Sequence, residues 1–65
     1  MIDTIQYPVQ VKANARLLSA GRKTIEEIHD KDRVNVYAYA ILHYEYSIDN
    51  VQEKYKEAVN KIINS

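Results

Sequence analysis

Apolar residues recur at helical spacing through most of this chain. Val11, Ala15 and Leu18, with Leu17 and Ala20 beside them, predict a first helix over about 9–20. Gly21 is a stop signal for that helix, and Arg22 and Lys23 follow where the helix dipole favours cations. Thr24-Ile25-Glu26-Glu27 then sets a hydroxyl at a cap position with a carboxylate three residues on, the pattern of a capping box. It predicts a second helix over about 25–44, open to a break near His29-Asp30 because Asp30 offers another cap. One face of this helix carries Val34, Tyr37, Ala38, Ile41 and Leu42. The opposite face carries Val36, Tyr39, Ala40, His43 and Tyr46. A helix apolar on two faces has to be covered on both, either by its two neighbours or by a neighbour and a partner.

Ser47 is the next cap, and a third helix is expected over about 48–63, with the stripe Val51, Tyr55, Ala58, Val59 and Ile62. Glu53, Lys54, Lys56, Glu57 and Lys61 give it a solvated outer face. Residues 1–8 read as an extended arm. Tyr7 is pushed to extended geometry by Pro8, and Ile5, Tyr7, Val9 and Val11 alternate as in a strand. The alternative is that Pro8 simply opens the first helix. The whole chain, 1–65, reads as one all-α domain of three helices.

The chain also overlays itself at a shift of 23 residues, which lays 11 on 34. Val11 meets Val34, Ala15 meets Ala38 and Leu18 meets Ile41. Thr24-Ile25-Glu26-Glu27-Ile28 meets Ser47-Ile48-Asp49-Asn50-Val51, Arg33 meets Lys56, and Val36 meets Val59. Caps, acids, bases and apolar positions keep their character. The expected unit is therefore an apolar helix, a short link, a hydroxyl cap and an acidic start to the next helix, with two units sharing the middle helix.

The string LLSAGRKTIEEI and its echo ILHYEYSIDNV resemble a family of short prophage-encoded proteins of Gram-positive bacteria. Those carry an apolar helix, a small-residue turn and a T-I-[DE]-[DE]-[VI]-P motif before a charged helix. The resemblance covers residues 15–34 best and 38–57 less well. It departs at the motif's proline, where His29 and Gln52 stand, and at the turn glycine, present as Gly21 but replaced by Tyr44 or Glu45 in the second copy. What it implies is a phage or mobile-element origin. It implies no activity and transfers no functional residues.

Composition narrows the classes further. A chain of 65 residues buries only about 60% of the surface its unfolded form exposes, and it has no cysteine for disulfides or thiolate chemistry. Oligomerisation is then the expected source of extra stability, and a reducing cytoplasm the expected location. Nine basic residues balance nine acidic ones, which gives no general pull toward nucleic acid or an anionic membrane. No run approaches the roughly 18 apolar residues of a membrane span. The start, MIDTIQYP, does not read as a signal peptide. There is no Phe or Trp but there are six Tyr, five of them between residues 37 and 55. Tyrosine suits a half-buried surface, because its ring is apolar and its hydroxyl wants water or a partner.

Candidate chemistry is thin. Glu26, His29 and Asp30 would share one helical face at a metal-ligand spacing, but the second copy offers only Asp49 and Gln52, and an acidic helix start explains the acids equally well. His43 lies among tyrosines near Glu45, yet a domain this small has little room for a substrate pocket of about 300 Å³. A single glycine rules out a glycine-rich phosphate loop. Neither an enzyme nor a cofactor, metal or small-molecule site is expected. The expected function is a protein–protein interaction module, self-associating or docking to a larger phage or host protein through Val36, Tyr39, Ala40, His43 and Tyr46. The alternative is a helix-turn-helix-like nucleic-acid binder using Lys12, Arg16, Arg22 and Lys23, although Glu53 and Glu57 on its recognition helix would face phosphates.

Overall fold

The computed structural model describes residues 7–64, so the expected arm falls outside the described residues except for Tyr7 and Pro8. Three α-helices follow one another: α1 (Val9–Ser19), α2 (Arg33–Tyr44) and α3 (Glu53–Ile63). α2 lies in the middle, packed against α1 on one side and α3 on the other. No strand occurs among the described residues.

α1 opens directly after Pro8, whose carbonyl accepts from the Val11 and Lys12 amides. It closes on Gly21, at φ 75°, with the Arg22 amide reaching back to the Leu17 carbonyl and the Gly21 amide to Leu18. That six-residue closure needs a left-handed residue at its turn, which glycine adopts without steric cost.

Both later helices begin further along than cap spacing suggests. Ile25–Glu27 forms one 3₁₀ turn, Ile28 and His29 are extended, and a second 3₁₀ turn, Asp30–Asp32, runs into α2. In the second copy Ile48–Asn50 is the 3₁₀ turn, Val51 and Gln52 are extended, and α3 starts at Glu53. The caps are real but each governs a single turn. The Thr24 amide donates to the Glu27 carboxylate at 2.8 Å, and the Ser47 hydroxyl accepts from the Asp49 amide at 3.1 Å. After that turn, Ile28 and Val51 are drawn into the core, and the extended residues redirect the chain into the next helix.

The 23-residue repeat is thus a repeat of backbone as well as of sequence. Thr24 and Ser47 are both extended caps, at φ/ψ −99°/160° and −88°/137°. Ile28 and Val51 sit at −98°/140° and −79°/134°, and His29 and Gln52 at −51°/134° and −59°/142°. Even the ion pairs correspond, Arg33 to Asp30 at 3.3 Å and Lys56 to Glu53 at 3.7 Å. The copies differ at the end of α2. There Glu45 takes the left-handed conformation, φ 60°, and both the Glu45 and Tyr46 amides donate to the Ala40 carbonyl.

The core is built from Val11, Ala15 and Leu18 of α1, Val36, Tyr37, Ala38 and Ala40 of α2, Val59 of α3, and the link residues Ile25, Ile28 and Val51. Alanines at 15, 38 and 40 let the helices approach closely, and Tyr37 is the largest fully enclosed side chain. The stripe expected on the third helix is only partly inward: Val51 and Val59 are buried, Tyr55 and Ile62 half-buried, and Ala58 exposed.

Candidate interaction surface

The five side chains expected to form one contact stripe on the middle helix are separated by the fold. Val36 and Ala40 have no exposed surface at all. They belong to the core, so neither can meet a partner while the domain is folded. The expectation of an open stripe is corrected to this extent: the fold encloses its Val36 and Ala40, while Tyr39 and His43 are not fully covered. The physical reason is spacing, since Val36 and Ala40, at i and i+4, lie on the side of α2 that the chain itself closes. Tyr46 is elsewhere again. It follows the left-handed Glu45, and its half-buried ring lies 6.0 Å from that of Tyr37, which in turn is 5.9 Å from Tyr55 of α3. Burial pushes the hydroxyls of Tyr37 and Tyr46 above the ordinary tyrosine range; a backbone hydrogen bond with Gln52 offsets part of this for Tyr37.

Tyr39 and His43 do reach the surface together. The Tyr39 ring is half-buried and meets Tyr7 edge-on, at 5.2 Å and 77°. His43, one turn on, lies 4.2 Å from Tyr39, and Tyr44 lies 6.0 Å from it. Leu42 is 49% exposed and Tyr44 40%. The last turns of α2 therefore present an aromatic cluster of Tyr7, Tyr39, His43 and Tyr44, with Leu42 on the same helical segment. Such edge-on and offset ring pairs contribute about 0.5–1.5 kcal/mol each beyond their burial. Sequence reasoning missed Tyr7, Leu42 and Tyr44. The signal for the latter two was the position of the helix end, which brings both to the rim, whereas nothing local ties Tyr7 to Tyr39.

A second cluster is polar and joins the two links. The Arg33 guanidinium donates through Nε to the Ile28 carbonyl at 3.0 Å, and through Nη2 to the Glu26 carbonyl at 3.3 Å. Through Nη1 it reaches the Tyr55 hydroxyl at 3.0 Å and Asp30 at 3.3 Å. The Gln52 amide donates to the Glu26 carboxylate at 2.7 Å. The bond from Arg33 to the Tyr55 hydroxyl, first, holds the Arg33 pKa above its ordinary value, with Asp30 and Glu26 adding to it. A hydrogen bond from its own backbone, then the Gln52 amide, hold Glu26 below the usual carboxylate range. Glu26 and Asp30 are thus engaged structurally. With Ile28 and His29 extended, the acids do not share a helical face with His29 as the spacing had suggested. Among the described residues, no group of three His, Cys, Asp or Glu side chains is placed to hold a metal ion.

Of the basic residues, Lys12, Arg16 and Arg22 are exposed, while Lys23 is half-buried and donates to the Asn14 side chain at 2.9 Å. Among the described residues no helix is long and apolar enough to cross a membrane. No protein-family model, curated protein or solved structure matches this chain.

Proposed function

We propose that this chain is a non-enzymatic protein–protein interaction module, of phage or mobile-element origin and acting in the cytoplasm. Its contact surface is the aromatic end of α2. The observation that carries the reading is the cluster at Tyr39: Tyr7, His43 and Tyr44 gather around its ring, and Leu42 and Tyr44 stay substantially exposed beside it. Aromatic anchors that keep a polar tip in water are the side chains from which protein interfaces draw most of their binding energy. Self-association comes first as the form of binding, because a core this small gains stability from a second copy. Docking to a larger phage or host protein is the other form. The origin rests on the motif likeness, which the matching backbone of its two copies makes a structural unit.

The nucleic-acid alternative has weaker support. Lys23 is tied to Asn14, Glu53 and Glu57 are exposed on α3, and the chain as a whole is neutral.

Sedimentation of the intact chain at high micromolar concentration tests the proposal. A concentration-dependent assembly that Leu42→Glu with Tyr44→Glu dissolves, at unchanged helix content, is expected. A parent that stays monomeric, and that captures no phage or host protein from lysate in a manner sensitive to the same pair of changes, removes the proposal.

A further inference from the structure

Because the repeat holds in three dimensions, it relates the faces of the three helices. α1 buries Val11, Ala15 and Leu18 toward α2. Their counterparts on α2 are Val34, Ala38 and Ile41, on the side marked by the Tyr37–Tyr55 contact with α3. The next counterparts, on α3, are Glu57, Lys61 and Asn64, all exposed. The array therefore ends in a polar face at α3, as the terminal unit of a repeat stack requires. In the other direction the outcome differs. Val59, Ile62 and Ile63 of α3 correspond to Val36, Tyr39 and Ala40 of α2, on the α1 side marked by Tyr7, and these to Ala13, Arg16 and Leu17 of α1. Ala13 and Leu17 face solvent, and Val9, four residues before Ala13, extends them into a stripe. Val9 is 79% exposed and Leu17 37%. Among the described residues the array is closed at α3 and open at α1.

The charged residues of α1 itself and of the turn after it have one sign. No acidic residue occurs between Asp3 and Glu26, whereas Lys12, Arg16 and Arg22 are all exposed. We propose that the outward face of α1 docks an acidic amphipathic helix of a partner protein, which takes the place of the missing neighbour. Its apolar side would repeat the valine-alanine-leucine spacing with which α1 meets α2, and its flanking carboxylates would pair with Lys12 and Arg16. A second copy fits this face poorly, since α1 against α1 would set like charges together. A membrane fits poorly as well, because the stripe offers no Trp or Phe to bury among lipid. Duplex DNA would leave the apolar centre of the stripe without a partner. This surface belongs to a different helix from the aromatic cluster and stands or falls independently of it.

Two synthetic helical peptides test the assignment. Both carry Val, Ala and Leu at the spacing of Val11, Ala15 and Leu18. One is flanked by glutamates and the other by lysines. On titration into the intact chain, the glutamate peptide should shift the amide resonances of Val9–Ala20, with an affinity that falls as salt rises. Leu17→Asp and Arg16→Glu should each weaken it by about tenfold, while Leu42→Glu should leave it unchanged. Arg16→Glu touches no buried contact and keeps the test decisive should Leu17→Asp unfold the domain. Equal binding of both peptides, no binding of the glutamate peptide, or shifts centred on α2 would overturn the proposal. So would α1 shifts produced by duplex DNA or by anionic phospholipid vesicles in place of the glutamate peptide.

Discussion

The side-chain amide of Gln52 donates to the carboxylate of Glu26 at 2.7 Å, and this bond ties the link before α3 to the link before α2. The two residues stand in consecutive copies of the repeat. Arg33 reinforces the same junction by reaching the Glu26 carbonyl on one side and the Tyr55 hydroxyl on the other. Gln52→Ala should therefore raise the Glu26 pKa part of the way toward its ordinary value. It should not raise it fully, since the backbone hydrogen bond that lowers it most remains. A carboxylate whose folded pKa is depressed stabilises the fold above its unfolded pKa, and that contribution fades as pH falls through the folded pKa. Stability of the parent should thus drop through the acid range more steeply than that of Gln52→Ala. Carbon-detected NMR titration of the Glu26 carboxyl and acid unfolding curves of the two proteins check both statements.

His29→Pro should stabilise the domain. His29 sits at φ −51°, within the range of the proline ring, and Ile28 before it is already extended, as a residue preceding proline must be. The gain comes from restricting the unfolded chain and amounts to about 0.4–1 kcal/mol, or a few degrees in Tm. Gln52 has the same backbone geometry, but proline there would delete both the side-chain bond to Glu26 and the amide that bonds to the Tyr37 hydroxyl, so Gln52→Pro should gain less or lose stability. Thermal unfolding of the two variants separates these outcomes, and equal gains would show that neither the Gln52–Glu26 bond nor the Gln52 amide's bond to Tyr37 contributes.

Glu45→Gly should stabilise as well. Glu45 holds φ 60° at the end of α2, where a side chain crowds the following carbonyl; the first copy meets the same need with Gly21. Relief of that crowding, less the extra freedom glycine has when unfolded, leaves roughly 0.5–1 kcal/mol. Denaturant midpoints measure it. The reverse change, Gly21→Ala, should destabilise through φ alone, since a Cβ built at Gly21 meets no atom within 4 Å.

What was legible in the chain was local. The three helices, the hydroxyl caps and the repeat follow from neighbouring residues, because hydrogen-bond closure and helical spacing act within a few positions. The breaks after each cap were less legible. They depend on Ile28 and Val51 being pulled into a core that exists only once the helices pack, whereas the local pattern alone places the helix starts at Ile25 and Ile48. The two apolar faces of α2 were visible, but which neighbour covers which face was not, and so Val36 and Ala40 read as surface. The Arg33–Tyr55 bond spans two helices and leaves no short-range trace.

Ala40→Arg and Leu42→Glu, two residues apart, should behave oppositely. Ala40 has no exposed surface, so an arginine there would have to place a charge and a long side chain in a packed interior, and cooperative folding should be lost. Leu42 is half in solvent already, and its change should leave stability within about 0.5 kcal/mol. Circular dichroism with urea unfolding reads both. A folded Ala40→Arg protein would return Ala40 to the surface and reopen the wider stripe.

Alkaline pH should unfold the domain through its tyrosines. Tyr37 and Tyr46 have folded-state pKa values raised above the ordinary 10.0, chiefly by burial. Near and above pH 10.0 the unfolded chain sheds these protons more readily than the folded one, so it binds fewer of them, and stability falls as pH rises. The contribution is intact below the unfolded pKa and lost as pH climbs through the folded values. Tyr37 should dominate, since it is the more enclosed of the two and lies between the rings of Tyr46 and Tyr55. Tyr37→Phe keeps the ring but removes the titrating hydroxyl and its hydrogen bond with the Gln52 backbone, at a cost of about 0.5–1.5 kcal/mol near neutrality. Its stability should then decline less steeply than the parent's above pH 10.0, so that the two curves converge. Urea midpoints across the alkaline range, read together with tyrosinate absorbance, test this; parallel curves would show that the Tyr37 hydroxyl titrates alike in the folded and unfolded chain.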